Sequence, residues 1–162
     1  MTIGSGAIEK ALLARWTAKA LDAQFTAYRQ EGATDKVLHE GPVAISAPAF
    51  PYCVWEADEP RLVGRDSLGG GLNWHTWAFN FQMTIHAQQS ATQDAKAIAY
   101  ALALLVMAAY EDGTRLTVSE TDGANVSIER ATDFGVRDGD SEYLWSIRYA
   151  IQYETKQTIT PY

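Results

Sequence analysis

The chain is poor in the residues that most often carry chemistry. Its 162 residues hold one cysteine and three histidines. The lone Cys53 excludes an internal disulfide and is compatible with a reducing compartment. It lies in the apolar run 52–57, where a thiol is read as a small buried hydrophobe rather than a nucleophile. His39, His75 and His86 lack metal-pair spacing, and no second cysteine completes a zinc site. Basic residues are scarce too: 13 Lys and Arg stand against 20 Asp and Glu, a net charge of -7. That balance argues against a protein that grips nucleic acid through its phosphates. It suits an ordinary acidic protein, and equally one past which DNA must slide without sticking. Long hydrophobic runs are missing as well. The longest helical one, Ala95–Tyr110, is interrupted by Lys96 and is too short to span a bilayer. Residues Met1–Gly6 have no basic-then-apolar layout, so a soluble chain with no membrane partner is expected.

The motifs of catalysis are also thin. Gly64–Gly71 has neither the lysine of a phosphate-cradling loop nor a helix directly after it. Asp133, Asp138 and Asp140 around Gly139 lack the spacing and closing glutamate of a calcium loop and read as turn residues. Asn125-Val126-Ser127 is formally a glycosylation acceptor, and no Gly-x-Ser-x-Gly elbow occurs. The expectation is no enzyme, no cofactor and no metal.

What the chain does have is alternation. From His75 to Ala87 the odd positions are His75, Trp77, Phe79, Phe81, Met83, Ile85 and Ala87, with Thr76, Ala78, Asn80, Gln82, Thr84 and His86 between them. From Tyr143 to Tyr153 the odd positions are again aromatic or aliphatic, opposed by Leu144, Ser146, Arg148, Ala150 and Gln152. Period-two patterning predicts strands with one apolar and one polar face. Ala7–Gln30 is predicted helical, with Ser5 as cap, Gly32 as stop, and a stripe through Ile8, Leu12, Trp16, Leu21, Phe25 and Tyr28. Ser90–Tyr110 is a second, more apolar helix, capped by Ser90 or Thr92. Val37–Ser46 holds one or two short extended pieces, and Tyr52–Glu56 a short strand. Leu116–Glu120 and Ala124–Arg130 read as strands around the Asp122-Gly123 turn. Residues 58–73, with three consecutive glycines and five charges, read as a long flexible loop between antiparallel strands. The sum is a single α+β domain over 1–162: a mainly antiparallel twisted sheet with two amphipathic helices packed on one face.

Strand length suggests more than one copy. At about 3.3 Å per residue, His75–Ala87 spans roughly 43 Å. A compact chain of this size is only about 39 Å across. Apolar side chains beyond the reach of the domain's own helices then need a neighbouring subunit to cover them, although a monomer with both helices spread along the sheet nearly manages it.

The helix Ala7–Gln30, the strands around Tyr52–Glu56 and Trp74–Ala87, the helix Ser90–Tyr110 and the closing strand Tyr143–Tyr153 together resemble the tail-terminator proteins of long-tailed bacteriophages. The likeness is one of order, length and residue character. It implies a virion protein of the tail neck, assembled in the host cytoplasm, that closes as a ring, six copies in the family, on the tail tube. It further implies tail-tube and head-connector partners, with DNA passing through the lumen without specific binding. On this reading Arg61, Arg65 and Asp66 belong to a contact arm, and Asn80, Gln82, Thr84, Arg148 and Gln152 face a neighbour or the lumen. Trp55 and Trp74, beside the Gly-rich stretch, are open between interface and core. The alternatives are another neck, head-completion or tube protein, and, in a different class, a ligand-binding or enzymatic domain with a pocket lined by Trp77, Phe81, Trp145 and Tyr149.

Overall fold

The structure, a computed structural model, describes residues 5–25, 39–40, 50–69, 72–113, 116 and 126–158. Its elements in chain order are helix α1 (Ser5–Ala18), strands β1 (His39–Glu40), β2 (Tyr52–Ala57), β3 (Arg61–Gly69) and β4 (Leu72–Gln88), helix α2 (Ala95–Tyr110), and strands β5 (Val126–Asp138) and β6 (Glu142–Thr158). One sheet has the order β1-β2-β4-β6-β5, with β3 also on β4. Every pairing is antiparallel except the short parallel contact of β1 with β2. Both helices pack on one side of this sheet, which is the α+β arrangement expected from the patterning.

The two alternating stretches are the centre of the molecule. β4 and β6 pair along their whole length, from Leu72↔Thr158 to Gln88↔Glu142. Their odd positions form the core: Phe81, Met83, Ile85, Ile147, Tyr149 and Ile151 are all 0% exposed. Ile8, Leu12 and Trp16 of α1 and Ala103, Val106 and Met107 of α2 pack against them. Tyr110, at the end of α2, donates its hydroxyl to the Leu12 carbonyl at 2.7 Å and joins the two helices. Burial pushes that phenol up from its ordinary pKa, so it stays a donor.

This arrangement corrects the strand-length expectation. Of the row His75–Ala87, the part from Phe79 to Ala87 is at most 1% exposed within a single chain and needs no second copy to cover it, while His75 and Trp77 at the other end are half-buried. Ala95 and Ala99 of α2 pack with Ala87 at one end of the row, and α1 with the turn after it packs on the core beside Phe79 to Ile85. α1 is shorter than its periodicity implied: it stops at Ala18, Ala20 adopts the left-handed region (φ 56°), and a 3-10 turn comes next at Leu21–Ala23. Leu21 and Phe25 are nevertheless 3% exposed, and Phe25 packs 5.0 Å from Trp16. Apolar spacing thus runs on past the helix because the turn delivers the same residues to the same core. Gly32 and Tyr28 fall outside the described residues.

The 58–73 stretch is also corrected. Most of it is strand β3, which pairs with β4 from Arg61↔Ala78 to Gly69↔Leu72. β2 already occupies the same edge of β4 from Phe81 to His86, so the two strands lie end to end along it. Phe79 and Asn80 are the two residues between them. The Asp58 carboxylate accepts hydrogen bonds from the Asn80 backbone N–H at 2.5 Å and from its side-chain amide at 2.8 Å. Pairing to a long preformed strand outweighs the poor strand propensity of Gly64 and Gly69.

α2 begins five residues later than expected. Ser90 Oγ accepts hydrogen bonds from Thr92 and Gln93 backbone N–H groups and so caps a turn, while Gln89 Oε1 receives the Ala95 N–H at 3.0 Å. Of the expected 116–120 and 124–130 strands, residues 117–125 lie outside the described set. The strand that begins at Val126 is longer than expected: β5 runs to Asp138 with a bulge between Arg130 and Thr132.

Candidate interaction surface

The bulge in β5 decides which side chains meet. In a regular strand, residues three apart point to opposite faces. One extra residue at Ala131 brings Arg130, opposite Tyr149, and Asp133, opposite Ile147, to the same helix-side face. There Arg130 Nε lies 3.4 Å from Glu111 Oε1, and its Nη1 lies 3.2 Å from Asp133 Oδ2. Tyr149 donates its hydroxyl to Glu111 Oε2 at 2.9 Å, and the Trp145 indole N–H bonds to Asp133. Glu111 sits just past the C-terminus of α2, where a carboxylate opposes the helix dipole, and Arg130 offsets it. Burial, and then the Glu111 carboxylate beside it, push the Tyr149 phenol up, so it remains the donor. Asp133, read from sequence as a turn residue, is therefore a strand residue in an ionic clasp.

Around this clasp lies an exposed apolar surface. α2 carries no charged residue between Lys96 and Glu111, and its outward positions are Ala97, Tyr100, Ala101, Leu104, Leu105 and Ala108. Tyr100 is 49% exposed, Leu104 47% and Leu105 44%. Between α2 and β5 runs an open groove of about 330 Å³ lined by Leu104, Met107, Ala108, Glu111 and Arg130. A second hollow, of about 430 Å³, lies past the end of α2 against Val126, Ile128 and Arg130. On the far face of β5, Phe134 and Val136 are 51% and 52% exposed. They stand opposite Ser146 and Leu144 of β6.

The residues assigned to contacts from sequence divide into three groups. Asn80, Gln82, Thr84, Arg148 and Gln152 do share the far face of the sheet. Several are engaged there: Arg148 donates to Gln82 Oε1 from Nε at 3.2 Å and from Nη2 at 2.9 Å, and Thr84 Oγ1 lies 3.4 Å from Ser146 Oγ. Arg61 and Arg65 are exposed on β3 at the other sheet edge, where Asp66 lies opposite Trp74 in the register. Trp74 is half-buried. Trp55 stands apart from both groups, because it is a core residue. It is 5% exposed and its ring lies 5.4 Å from Phe81. The apolar surface of α2 and β5 was missed, although the absence of charge across 97–110 was its signal.

The pocket expected under the ligand-binding alternative is closed by packing. Phe81 and Tyr149 are 0% exposed, and the Trp77 indole N–H bonds to Thr155 Oγ1 at 3.0 Å. Cys53 is 2% exposed, and burial pushes its thiol pKa up, away from a thiolate nucleophile. Among the described residues no cluster of three or more His, Cys, Asp or Glu is placed to hold a metal. No helix among them is long and apolar enough to cross a membrane. No family model and no curated protein matches the chain.

His86 gives the far face a pH dependence. It stacks on Tyr52 at 4.4 Å, and burial lowers its pKa more than the Asp138 carboxylate raises it. The unfolded chain therefore takes up this proton more readily. Stability is full above about pH 6.5, the ordinary histidine value, and falls as pH drops through it toward the lower native value. The expected result is a smaller loss of thermal midpoint between pH 7.5 and 5 for His86→Gln than for wild type, read by circular dichroism. Parallel losses would contradict it.

Proposed function

We infer that the chain is a self-assembling virion structural protein, a ring-forming tail terminator that caps a tail tube and joins it to the head connector. The observation that supports this most is the surface of α2 and β5. A helix side without charge from Ala97 to Tyr110, and on the other face of the sheet the exposed Phe134 and Val136 of β5, are apolar areas that isolated proteins normally keep small. The order of elements, helix, strands, helix and two long closing strands, is in keeping with the family resemblance. The helices cover the apolar sheet face, so the surfaces left for a neighbouring copy are the outside of α2 and the edge of the sheet. Repeated around a ring, the charge of -7 per copy would let DNA pass with little adhesion.

The test is assembly. Purified tail-tube subunits polymerising alone should give tubes of open-ended length. Added chain should stop growth and leave a ring on the tube end, seen by negative-stain electron microscopy. Tubes that lengthen unchanged would reject the terminator role, and filaments of the chain itself would mark it as a tube subunit.

A further inference from the structure

We propose that successive copies of this chain join head to tail along the β5 edge, with Phe134 of one copy seated in the α2–β5 groove of the next. This rests on the reading of the chain as a self-assembling subunit and names the contact.

Among the described residues, the outer edge of β5 pairs with no other strand. An open edge of 13 residues is normally blunted by outward charge. Here the helix-side charges of β5 are turned inward on their own chain. Arg130 is held by Glu111 and Asp133, Asp133 also accepts from Trp145, and the Arg137 guanidinium lies 5.7 Å from the Tyr143 ring centre. Between the exposed far-face charges Glu129 and Asp138 the edge presents an apolar knob, Phe134, and on the helix side a groove floored by Leu104, Met107 and Ala108, with the paired Glu111 and Arg130 at its wall.

Knob and groove lie on opposite faces of one strand, so neither fits its own chain. The groove of a second copy can take the knob of the first, and the second copy's own knob then enters the groove of a third. Such a heterologous contact closes as a ring or runs on as a filament. The size is adequate. β5 is about 43 Å long at 3.3 Å per residue, and a contact two strand spacings plus one helix wide, about 20 Å, covers roughly 850 Å² per copy. Stable interfaces bury about 800 Å² per partner.

The experiment uses the whole chain. Sedimentation velocity over a concentration series measures self-association of wild type, Phe134→Glu and Leu104→Glu. Val63→Glu, at the opposite sheet edge and 48% exposed in wild type, is the control. Both groove and knob variants should associate roughly thirtyfold more weakly or worse, the loss of a central anchor. The control should stay within about twofold of wild type, as surface substitutions do. In a second arm, Phe134→Cys and Leu104→Cys proteins are mixed under oxidising conditions. A disulfide dimer formed only by the mixture supports the contact; buried Cys53 stays out of the reaction. Wild-type assembly that none of the variants weakens, with no mixed dimer, overturns the contact while leaving a self-assembling subunit intact. Wild type that remains monomeric throughout overturns the contact too, and the tube-growth assay then judges the terminator role by itself.

Discussion

Phe81→Ala is expected to lower stability by about 3–5 kcal/mol, the cost of emptying a fully buried aromatic site. Phe81 is 0% exposed, pairs with Tyr149 across β4 and β6, and stacks on Trp55 of β2. It therefore joins three strands beneath the helices, and the surrounding β-structure cannot collapse to fill the space. For a chain of this length, each kcal/mol moves the thermal midpoint by about 2–4 °C, so a fall of roughly 10 °C is expected by calorimetry. A loss below about 1 kcal/mol would mean that the centre of the core lies elsewhere.

Gly135→Val is expected to be nearly as damaging, at about 3 kcal/mol, for the opposite reason: there is no room. A Cβ at Gly135 would stand 2.5 Å from Tyr143 Cε1 and 2.7 Å from Trp145 Cε3. The two rings lie across the bare backbone of β5, which leaves Trp145 in place to bond Asp133 and Tyr143 to lie beneath Arg137. Aromatic cover of a glycine on an edge strand is a known way to hold register. Shortening the neighbour should relieve the clash. In a double-mutant cycle with Tyr143→Ala, measured by urea unfolding, the cost of the valine should shrink. Equal costs in both backgrounds would contradict the packing described.

These two sites also show what the residues disclosed on their own. Phe81 was legible because both long strands bury one face against helices, and burial on one side writes itself as period two. The start of β5 was legible, since Val126 and Ile128 pack on the core, but its continuation past Arg130 was not. Phe134 and Val136 point away from the core, and the bulge at Ala131 breaks the parity that would have revealed a strand. β3 carries glycines and arginines, and its strand state comes from the partner it lies against. The Arg130 clasp joins residues 19 positions from Glu111 and 19 from Tyr149, a meeting that only the sheet register creates. α2 was read correctly as apolar. Its evenness all round should also have said that one side is spare, since a helix covering a sheet needs only a stripe.

The role proposed for that spare side is open to a direct measurement: the solution mass of the wild-type chain by light scattering across a wide concentration range. A subunit that closes rings should rise from 17.8 kDa to a plateau at a fixed multiple of it. A mass that stays at one copy at every concentration would contradict the account, and so would one that climbs without limit.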